Sequence, residues 1–143
     1  MVLGQSLDMQ SSSNLDSLKL LEEIQELKTG KLIELSCLMP IIISDGVSSK
    51  DKSKIINLSK LLGKIYQITD DILDASSNEK ELGKTCGKDK EDEKATYLSL
   101  MSLVEAKRIN EKLFNQTNKE INSITGDTEI LKKLVDKIYK RKF

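Results

Sequence analysis

Residues 66–74, YQITDDILD, place three aspartates within five positions of an otherwise apolar stretch. On a helix that advances about 100° per residue, Asp70, Asp74 and Gln67 share one face, and Asp71 lies at its edge. The opposite face carries the large aliphatic side chains Leu61, Ile65, Ile68 and Ile72. The stretch therefore predicts a helix whose apolar side is anchored in a core while its acidic side faces a different environment.

The composition favours helices and excludes several classes of protein. The 143 residues include 23 basic and 23 acidic side chains, 3% aromatic residues and a single proline, Pro40. Few aromatic and many charged residues are typical of helical proteins, and zero formal net charge argues against a nucleic-acid partner. The absence of histidine excludes histidine-based triads and histidine metal sites within this chain. We therefore expect one all-α domain over residues 1–143.

Signals for secretion or membrane insertion are missing from the sequence. No segment reaches the ~18 apolar residues needed to span a bilayer. The first ten residues, MVLGQSLDMQ, have neither the basic nor the apolar part of a signal peptide. Cys37 and Cys86 lack the spacing of a metal site. We therefore expect a cytoplasmic protein with two reduced thiols and no membrane span.

Hydrophobic periodicity and breaker residues predict five helices, over residues 2–9, 15–43, 49–75, 95–121 and 128–141. Pro40 should kink or thin the end of the second helix, and Ser49 or Asp51 should cap the third. The stretch 76–92 contains two glycines and many charges and is predicted to be a loop. Polar breaks or turns are expected at residues 11–14, 44–46 and 125–127. The second helix should turn inward its apolar residues Leu20, Leu21, Ile24, Leu27 and Ile33.

The acidic face of the third helix predicts a cation site. Like charges four residues apart on a helix repel each other by a few tenths of a kcal/mol, about 0.2–0.5. Carboxylates in the last turns also oppose the helix dipole by ~0.3–1 kcal/mol each. A bound cation would remove both costs, and carboxylate oxygens without histidine or thiolate suit Mg²⁺. The alternative is a solvated face, the common role of charged residues on amphipathic helices.

Further motifs accompany the acidic cluster in a fixed order. ELKTG (residues 26–30) contains Lys28 and Thr29, and LGKTCGKD (82–89) follows Asp74. Carboxylates beside lysines suit a diphosphate held through magnesium. With EKATYLSL (93–100), these stretches resemble the second aspartate-rich region of trans-isoprenyl diphosphate synthases, and in particular the farnesyl and geranylgeranyl diphosphate synthase group. Further blocks of that family are similar, in the same order, to GQSLD (4–8), LKTGKLI (27–33) and KIYKRKF (137–143).

The resemblance implies a fold and a reaction. The fold would be the C-terminal half of the all-α isoprenoid synthase fold, built around a deep cavity. The reaction would ionise an allylic diphosphate with Mg²⁺ and couple the resulting carbocation to isopentenyl diphosphate. The resemblance implies that Asp70 is the main Mg²⁺ ligand. Asp71 and Asp74 would support the metal directly or through water.

The resemblance also assigns roles outside the acidic cluster. Lys28 and Lys84 would hold the allylic diphosphate, with Lys94 as a further substrate contact. The resemblance implies that Thr29, Gln67 and Asp8 line the reaction cavity. Thr29 and Gln67 would also take part in catalysis, together with Lys28 and Lys84. Arg141 would either meet the second diphosphate or serve as a basic residue that suits a helix end.

One departure from the family bears on activity. The sequence contains a single DDxxD motif, at residues 70–74, whereas the family it resembles uses two facing motifs. We therefore expect the isolated chain to be inactive as a synthase and to need an N-terminal half chain, with a homodimer as a further possible assembly. The alternative function is that of a non-catalytic helical remnant or partner protein that retains the scaffold.

Overall fold

A computed structural model describes residues 1–11, 17–81 and 96–141, and every regular element in these ranges is helical. The α-helices are α1 (Val2–Ser11), α2 (Leu18–Gln25), α3 (Lys31–Ile43), α4 (Ser49–Glu81), α5 (Tyr97–Leu100), α6 (Leu103–Asn122) and α7 (Glu129–Tyr139). A π-helical segment, Glu26–Gly30, connects α2 directly to α3. The prediction of an all-α chain is therefore confirmed. In the ranges that the structure describes, no helix combines the length and the apolar character needed to cross a lipid bilayer.

Helix α4 is the central element, since it contacts every other helix except α1. Two clusters of buried side chains hold it in place. The first joins α4 to α2, α5 and α6 through Leu21, Ile68, Tyr97 and Ala106. The second joins α4 to α6 and α7 through Leu58, Leu62, Ile121 and Val135. The predicted apolar face of α4 is confirmed at Ile65 and Ile68, although Leu62 is fully buried and Leu61 only half-buried.

Hydroxyl side chains set the starts of three helices. Ser48 caps α4, because its Oγ accepts a hydrogen bond from the backbone N–H of Asp51 at 3.0 Å. The prediction that Ser49 or Asp51 caps this helix was therefore wrong by one to three residues. Asp51 instead accepts a hydrogen bond from the Ser48 hydroxyl at 2.8 Å, which links the two side chains across the first turn of α4. The hydroxyl groups of Thr96 and Ser102 cap α5 and α6 in the same way.

The predicted bounds of the third and fourth helices differ from the structure. The single helix expected over residues 95–121 is divided into α5 and α6, because Ser102 starts a new helix by capping Glu105. Helix α4 continues to Glu81, beyond the predicted end near residue 75. Within this extension the Ser76 hydroxyl donates a hydrogen bond to the Ile72 carbonyl at 2.7 Å. The remainder of the predicted loop, residues 82–92, lies outside the described residues, as do residues 12–14 of the first predicted break.

Both predicted glycine turns are confirmed. Gly46, between α3 and α4, has φ +87°, and Gly126, between α6 and α7, has φ +104°. These left-handed conformations suit glycine because it has no Cβ. Within the predicted second helix, Leu21 and Ile24 are fully buried as expected. The other three residues expected to face inward are half-buried: Leu20, Leu27 and Ile33.

Helix α3 has an exposed apolar face. Its aliphatic residues Leu32, Leu35, Met39, Ile42 and Ile43 are 47–77% exposed, while Ile41 packs into the interior. The spacing of three, four and three residues places most of them along one stripe of the helix. A contiguous apolar stripe of this kind is typical of a surface that another polypeptide covers.

Candidate active site

Asp70 lies on the partly exposed side of α4 and already contacts a cation. The guanidinium of Arg141, just beyond α7, donates a hydrogen bond to its carboxylate. The same guanidinium lies 4.8 Å from the centre of the Tyr66 ring, one turn earlier in α4. The side chains of Asp70 and Arg141 are 44% and 33% exposed, so water reaches the pair. The Asp70 carboxylate therefore contacts a cation while its side chain stays partly exposed to solvent.

Asp71 has a different environment. Its Oδ2 accepts a hydrogen bond from the backbone N–H of Tyr97, the first residue of α5, at 2.6 Å. The pKa of this carboxyl is raised to about 6, chiefly by burial and also by the nearby charges of Asp70 and Asp74, against the opposing effect of that hydrogen bond. Asp71 thus fixes the start of α5 against α4. Its role as a Mg²⁺ ligand stays a prediction.

The donor set of the acidic face fits magnesium in part. Asp70 and Asp74 are four residues apart on one helix face, and Asp74 is exposed. Mg²⁺ typically takes one or two carboxylates together with waters and substrate phosphate oxygens. A closed site is not formed, since the described residues contain no group of three acidic or cysteine side chains that could hold a metal ion. The two carboxylates could therefore supply one side of a magnesium site that phosphate oxygens complete.

The GQSLD and LKTG motifs pack directly against each other. A Cβ at Gly4 would lie 2.3 Å from the backbone nitrogen of Lys28, so only glycine permits this approach of α1 to the π-helical segment. One turn later, Asp8 forms an ion pair with the ammonium of Lys28 at 2.5 Å. The two side chains are 23% and 40% exposed. Sequence spacing in GQSLD thus has a physical cause: the glycine brings the helices together and the aspartate then orients the lysine.

The π-helical segment was not predicted, although it carries Lys28 and Thr29. Wider i→i+5 turns occur mostly as single insertions and are frequent at functional sites. Here the segment packs closely on α4, where a Cβ at Gly63 would lie 3.3 Å from the Cα of Gly30. The two glycines, Gly30 and Gly63, are the signal in the sequence that indicates such close approach.

A cavity of about 250 Å³ lies between this segment, α2 and α4. Gln67 lines it, as do Gly30, Gly63 and Tyr97. The buried Gln25 also lines it, and the Oε1 atom of Gln25 has no hydrogen-bond partner among the described residues. The placement of Gln67 agrees with a cavity-lining position, and its part in a reaction stays a prediction.

The structure joins some of the predicted site residues and not others. Lys28 is paired with Asp8, and Asp70 with Arg141, whereas Asp71 is held by Tyr97. Thr29 is half-buried within the π-helical segment. Two of the predicted diphosphate ligands, Lys84 and Lys94, lie outside the described residues.

Comparison with known proteins gives a consistent picture. A model of the polyprenyl synthetase family matches residues 1–138. Geranylgeranyl pyrophosphate synthase 4 of Arabidopsis thaliana is 35% identical over 130 residues, which are 89% of this chain and 35% of that relative. Farnesyl diphosphate synthase of Micrococcus luteus is 33% identical over 145 residues, 99% of this chain and 48% of that relative. The chain therefore spans about a third to a half of the length of these relatives.

A solved structure agrees with these sequence matches. Geranyltransferase from Helicobacter pylori, in complex with magnesium and isoprenyl diphosphate, superposes with a TM-score of 0.75 and 25% sequence identity. The superposition covers 96% of this chain and 45% of that protein. The isoprenoid synthase fold that the motifs predict is thereby confirmed.

Proposed function

Because the chain belongs to the polyprenyl synthetase family, we propose that it forms part of a short-chain trans-prenyltransferase. The reaction condenses an allylic diphosphate with isopentenyl diphosphate. The observation that carries this proposal is the presentation of Asp70 and Asp74 on one accessible face of α4, in a chain whose family match covers nearly its whole length. The solved relative that binds magnesium and isoprenyl diphosphate supports the same substrate class.

The acidic face would hold Mg²⁺ in this proposal. Asp70 and Asp74 are its proposed ligands, with Asp71 as a further ligand if its carboxylate turns away from Tyr97. Bound magnesium would neutralise charge on the leaving diphosphate. Asp70 must first exchange the Arg141 guanidinium for the metal, and the partial exposure of this ion pair makes that exchange accessible.

The basic residues would bind the diphosphates. Asp8 holds the Lys28 ammonium near the π-helical segment, so the lysine is positioned before substrate arrives. Lys84 and Lys94 are proposed as additional contacts to the allylic diphosphate. Arg141, once released from Asp70, would be free to contact the second diphosphate. Cationic side chains stabilise the charge that develops on a departing diphosphate oxygen.

The carbon skeleton would react in a site that excludes water. The allylic C–O bond breaks, its electrons leave on the diphosphate oxygen, and water would quench the resulting carbocation. The Thr29 hydroxyl and the Gln67 amide are the proposed dipoles that face the cation. Both residues lie on elements that pack tightly on each other through Gly30 and Gly63.

We also propose that the chain needs a complementary polypeptide for activity. Its sequence carries one DDxxD motif, so a second carboxylate cluster would have to come from that partner. The exposed apolar stripe of α3 supports this proposal, since it offers a surface for further helices. A non-catalytic protein that retains the scaffold is the competing function, and it is favoured by the neutralisation of Asp70 by Arg141.

Complementation separates the two functions. The chain would be expressed alone and together with an N-terminal half chain that carries a DDxxD motif. Coupling of labelled isopentenyl diphosphate to an allylic diphosphate would then be measured with Mg²⁺. We expect turnover only in the co-expressed sample, and a loss of at least about 10²-fold on Asp70→Asn, in line with losses on removal of one electrostatic group. Absence of turnover in both samples would support the non-catalytic function, and full activity of Asp70→Asn would contradict the ligand assignment.

A further inference from the structure

The apolar stripe of α3 has a regular spacing. Its members Leu32, Leu35, Met39 and Ile42 follow one another by three, four and three residues, and they are 47–71% exposed. On a helix these four residues lie within an arc of about 80°, along a line roughly 15 Å long. This is the spacing of the a and d positions of a coiled coil, in which such side chains insert between those of a facing helix. The spacing therefore indicates a surface that receives another helix.

The stripe carries no charge along its length. Glu34 is the only charged residue between Leu32 and Ile43. Its side chain is 18% exposed and lines the cavity beside α4, about 120° around the helix from the centre of the stripe. The buried Ile41 lies on that other side of α3 as well. A charged partner surface would be left without polar contacts on the stripe, so the surface that covers it should be apolar.

The order of the spacings favours one partner. Three, four and three is the same sequence in both directions, so a two-fold axis at the height of Cys37 maps the stripe onto itself. In an antiparallel pair of α3 helices, Leu32 of one copy would face Ile42 of the other, and Leu35 would face Met39. Each contact would then occur twice, as in a two-fold symmetric interface between identical subunits. A second copy of this chain therefore offers an apolar surface that matches the stripe.

Charges at the two ends of α3 favour the antiparallel direction. Lys31 is exposed at the first residue of α3, and Asp45 is exposed just beyond its last residue. Two α3 helices that run in opposite directions would bring Lys31 of each copy near Asp45 of the other, whereas a parallel pair would bring like charges together. Lys31 already pairs with Glu26 and Glu34 at 3.0 and 2.8 Å, so it would contribute to the direction of pairing more than to affinity.

We propose that the apolar stripe of α3 docks the same stripe of a second copy of this chain, as an antiparallel two-fold pair. The contact uses few side chains from each copy, against the ~20–30 residues a side of a standard interface. The dimer should therefore be weak, with a Kd of about 50 µM. The pairing depends on α3 alone and not on the proposed prenyltransferase function. The complementary polypeptide proposed above would use the same stripe, so it would have to displace the second copy.

Sedimentation velocity of the full 143-residue chain would measure the pairing. Between about 1 and 500 µM, the sedimentation coefficient should rise from that of a monomer toward that of a dimer. Leu35→Lys should weaken association at least about 100-fold, because the dimer would then bury two unpaired ammonium groups. Ile130→Lys is the matched control, since Ile130 is 83% exposed on α7, which does not contact α3. Circular dichroism would verify that both variants keep their helical content.

A mixture of two variants tests the antiparallel direction. Met39→Glu alone should lose association, as Leu35→Lys does. In an antiparallel pair, mixing the two variant chains places the new ammonium opposite the new carboxylate. The mixed dimer should therefore bind at least about tenfold more tightly than either variant binds itself. A parallel pair would place each new charge opposite an apolar side chain, and mixing would restore nothing.

Three results would overturn the proposal. The first is a chain that stays monomeric at about 500 µM, even if a complementary half chain binds the stripe, since the stripe would then belong to that partner. The second is an equal loss of association in Leu35→Lys and Ile130→Lys, which would place the contact elsewhere. The third is a mixture of Leu35→Lys and Met39→Glu that does not associate. Dimer formation requires no catalytic activity, so these results are independent of the complementation assay.

Discussion

Arg141→Gln should increase the affinity of Asp70 for a divalent cation. In the structure the Arg141 guanidinium pairs with the Asp70 carboxylate and stacks on the Tyr66 ring at 4.8 Å. A metal ion at Asp70 must displace this internal cation. Removal of the guanidinium takes away the competitor while all carboxylate oxygens of the acidic face remain.

The magnitude follows from the exposure of the pair. An ion pair with side chains 33% and 44% exposed is worth ~0.2–1 kcal/mol. The contact with the Tyr66 ring adds ~0.5–1 kcal/mol at a partly exposed site. The variant should therefore lose about 1 kcal/mol of unfolding free energy. The same ~1 kcal/mol no longer opposes metal binding, which corresponds to a gain of about fivefold in affinity.

Mn²⁺ is a suitable probe because it prefers the same oxygen ligands as Mg²⁺ and is paramagnetic. Free Mn²⁺ would be measured by electron paramagnetic resonance during titration of the full chain. Lys140→Gln is the matched control: it also removes one positive charge, but from a lysine that pairs with Asp136. Asp70→Asn should abolish the gain in the Arg141 variant. If Arg141→Gln bound Mn²⁺ no better than Lys140→Gln, the guanidinium would not be a competitor and this reasoning would be refuted.

Two further predictions concern stability. The pKa of Asp71 is raised from 3.8 to about 6 by burial, so its stabilising contribution is complete below about pH 4 and is lost as the pH rises through 6. Asp71→Asn can still accept a hydrogen bond from the Tyr97 N–H, so it should flatten this pH dependence and raise the unfolding free energy at pH 7 by ~1–2 kcal/mol, after a reduction for solvent screening. Urea unfolding of both proteins in metal-free buffer at pH 4 and 7 measures the effect. A difference in unfolding free energy between the two proteins that is the same at both pH values would contradict the prediction. Gly4→Ala should lower the unfolding free energy by at least ~1–3 kcal/mol, because its Cβ would lie 2.3 Å from Lys28 N, whereas Ser6→Ala at an exposed position of α1 should change it by less than ~0.5 kcal/mol. Equal thermal stability of these two α1 variants would argue against the close approach.

Helical periodicity predicted the features that depend on one helix alone. The anchored face of α4 was predictable because Ile65 and Ile68 recur at helical spacing, and each is at most 1% exposed in the structure. The two glycine turns were predictable because glycine favours a positive φ. The accessible face with Asp70 and Asp74 follows from the same geometry, since the apolar side of the helix determines where the opposite side lies.

Features that depend on contacts between elements were not predictable from one sequence. Asp71 differs from Asp70 by a rotation of about 100°, which turns it toward the backbone of Tyr97, a residue distant in sequence. The Arg141–Asp70 pair joins residues 71 positions apart. Neither contact has a local pattern. The division between α5 and α6 was different, since Ser102 and Glu105 form a capping-box pattern that the sequence does contain.

The π-helical segment imposes a constraint on chain length. Relative to a continuous α-helix, a single π turn corresponds to one inserted residue, which rotates everything that follows by about 100°. Deletion of one residue from Glu26–Gly30 would restore regular α-helical hydrogen bonding, yet it would turn Ile33, Cys37 and Ile41 away from the side on which they now pack. Homologous chains should therefore keep the length of this segment, with neither a gain nor a loss of one residue.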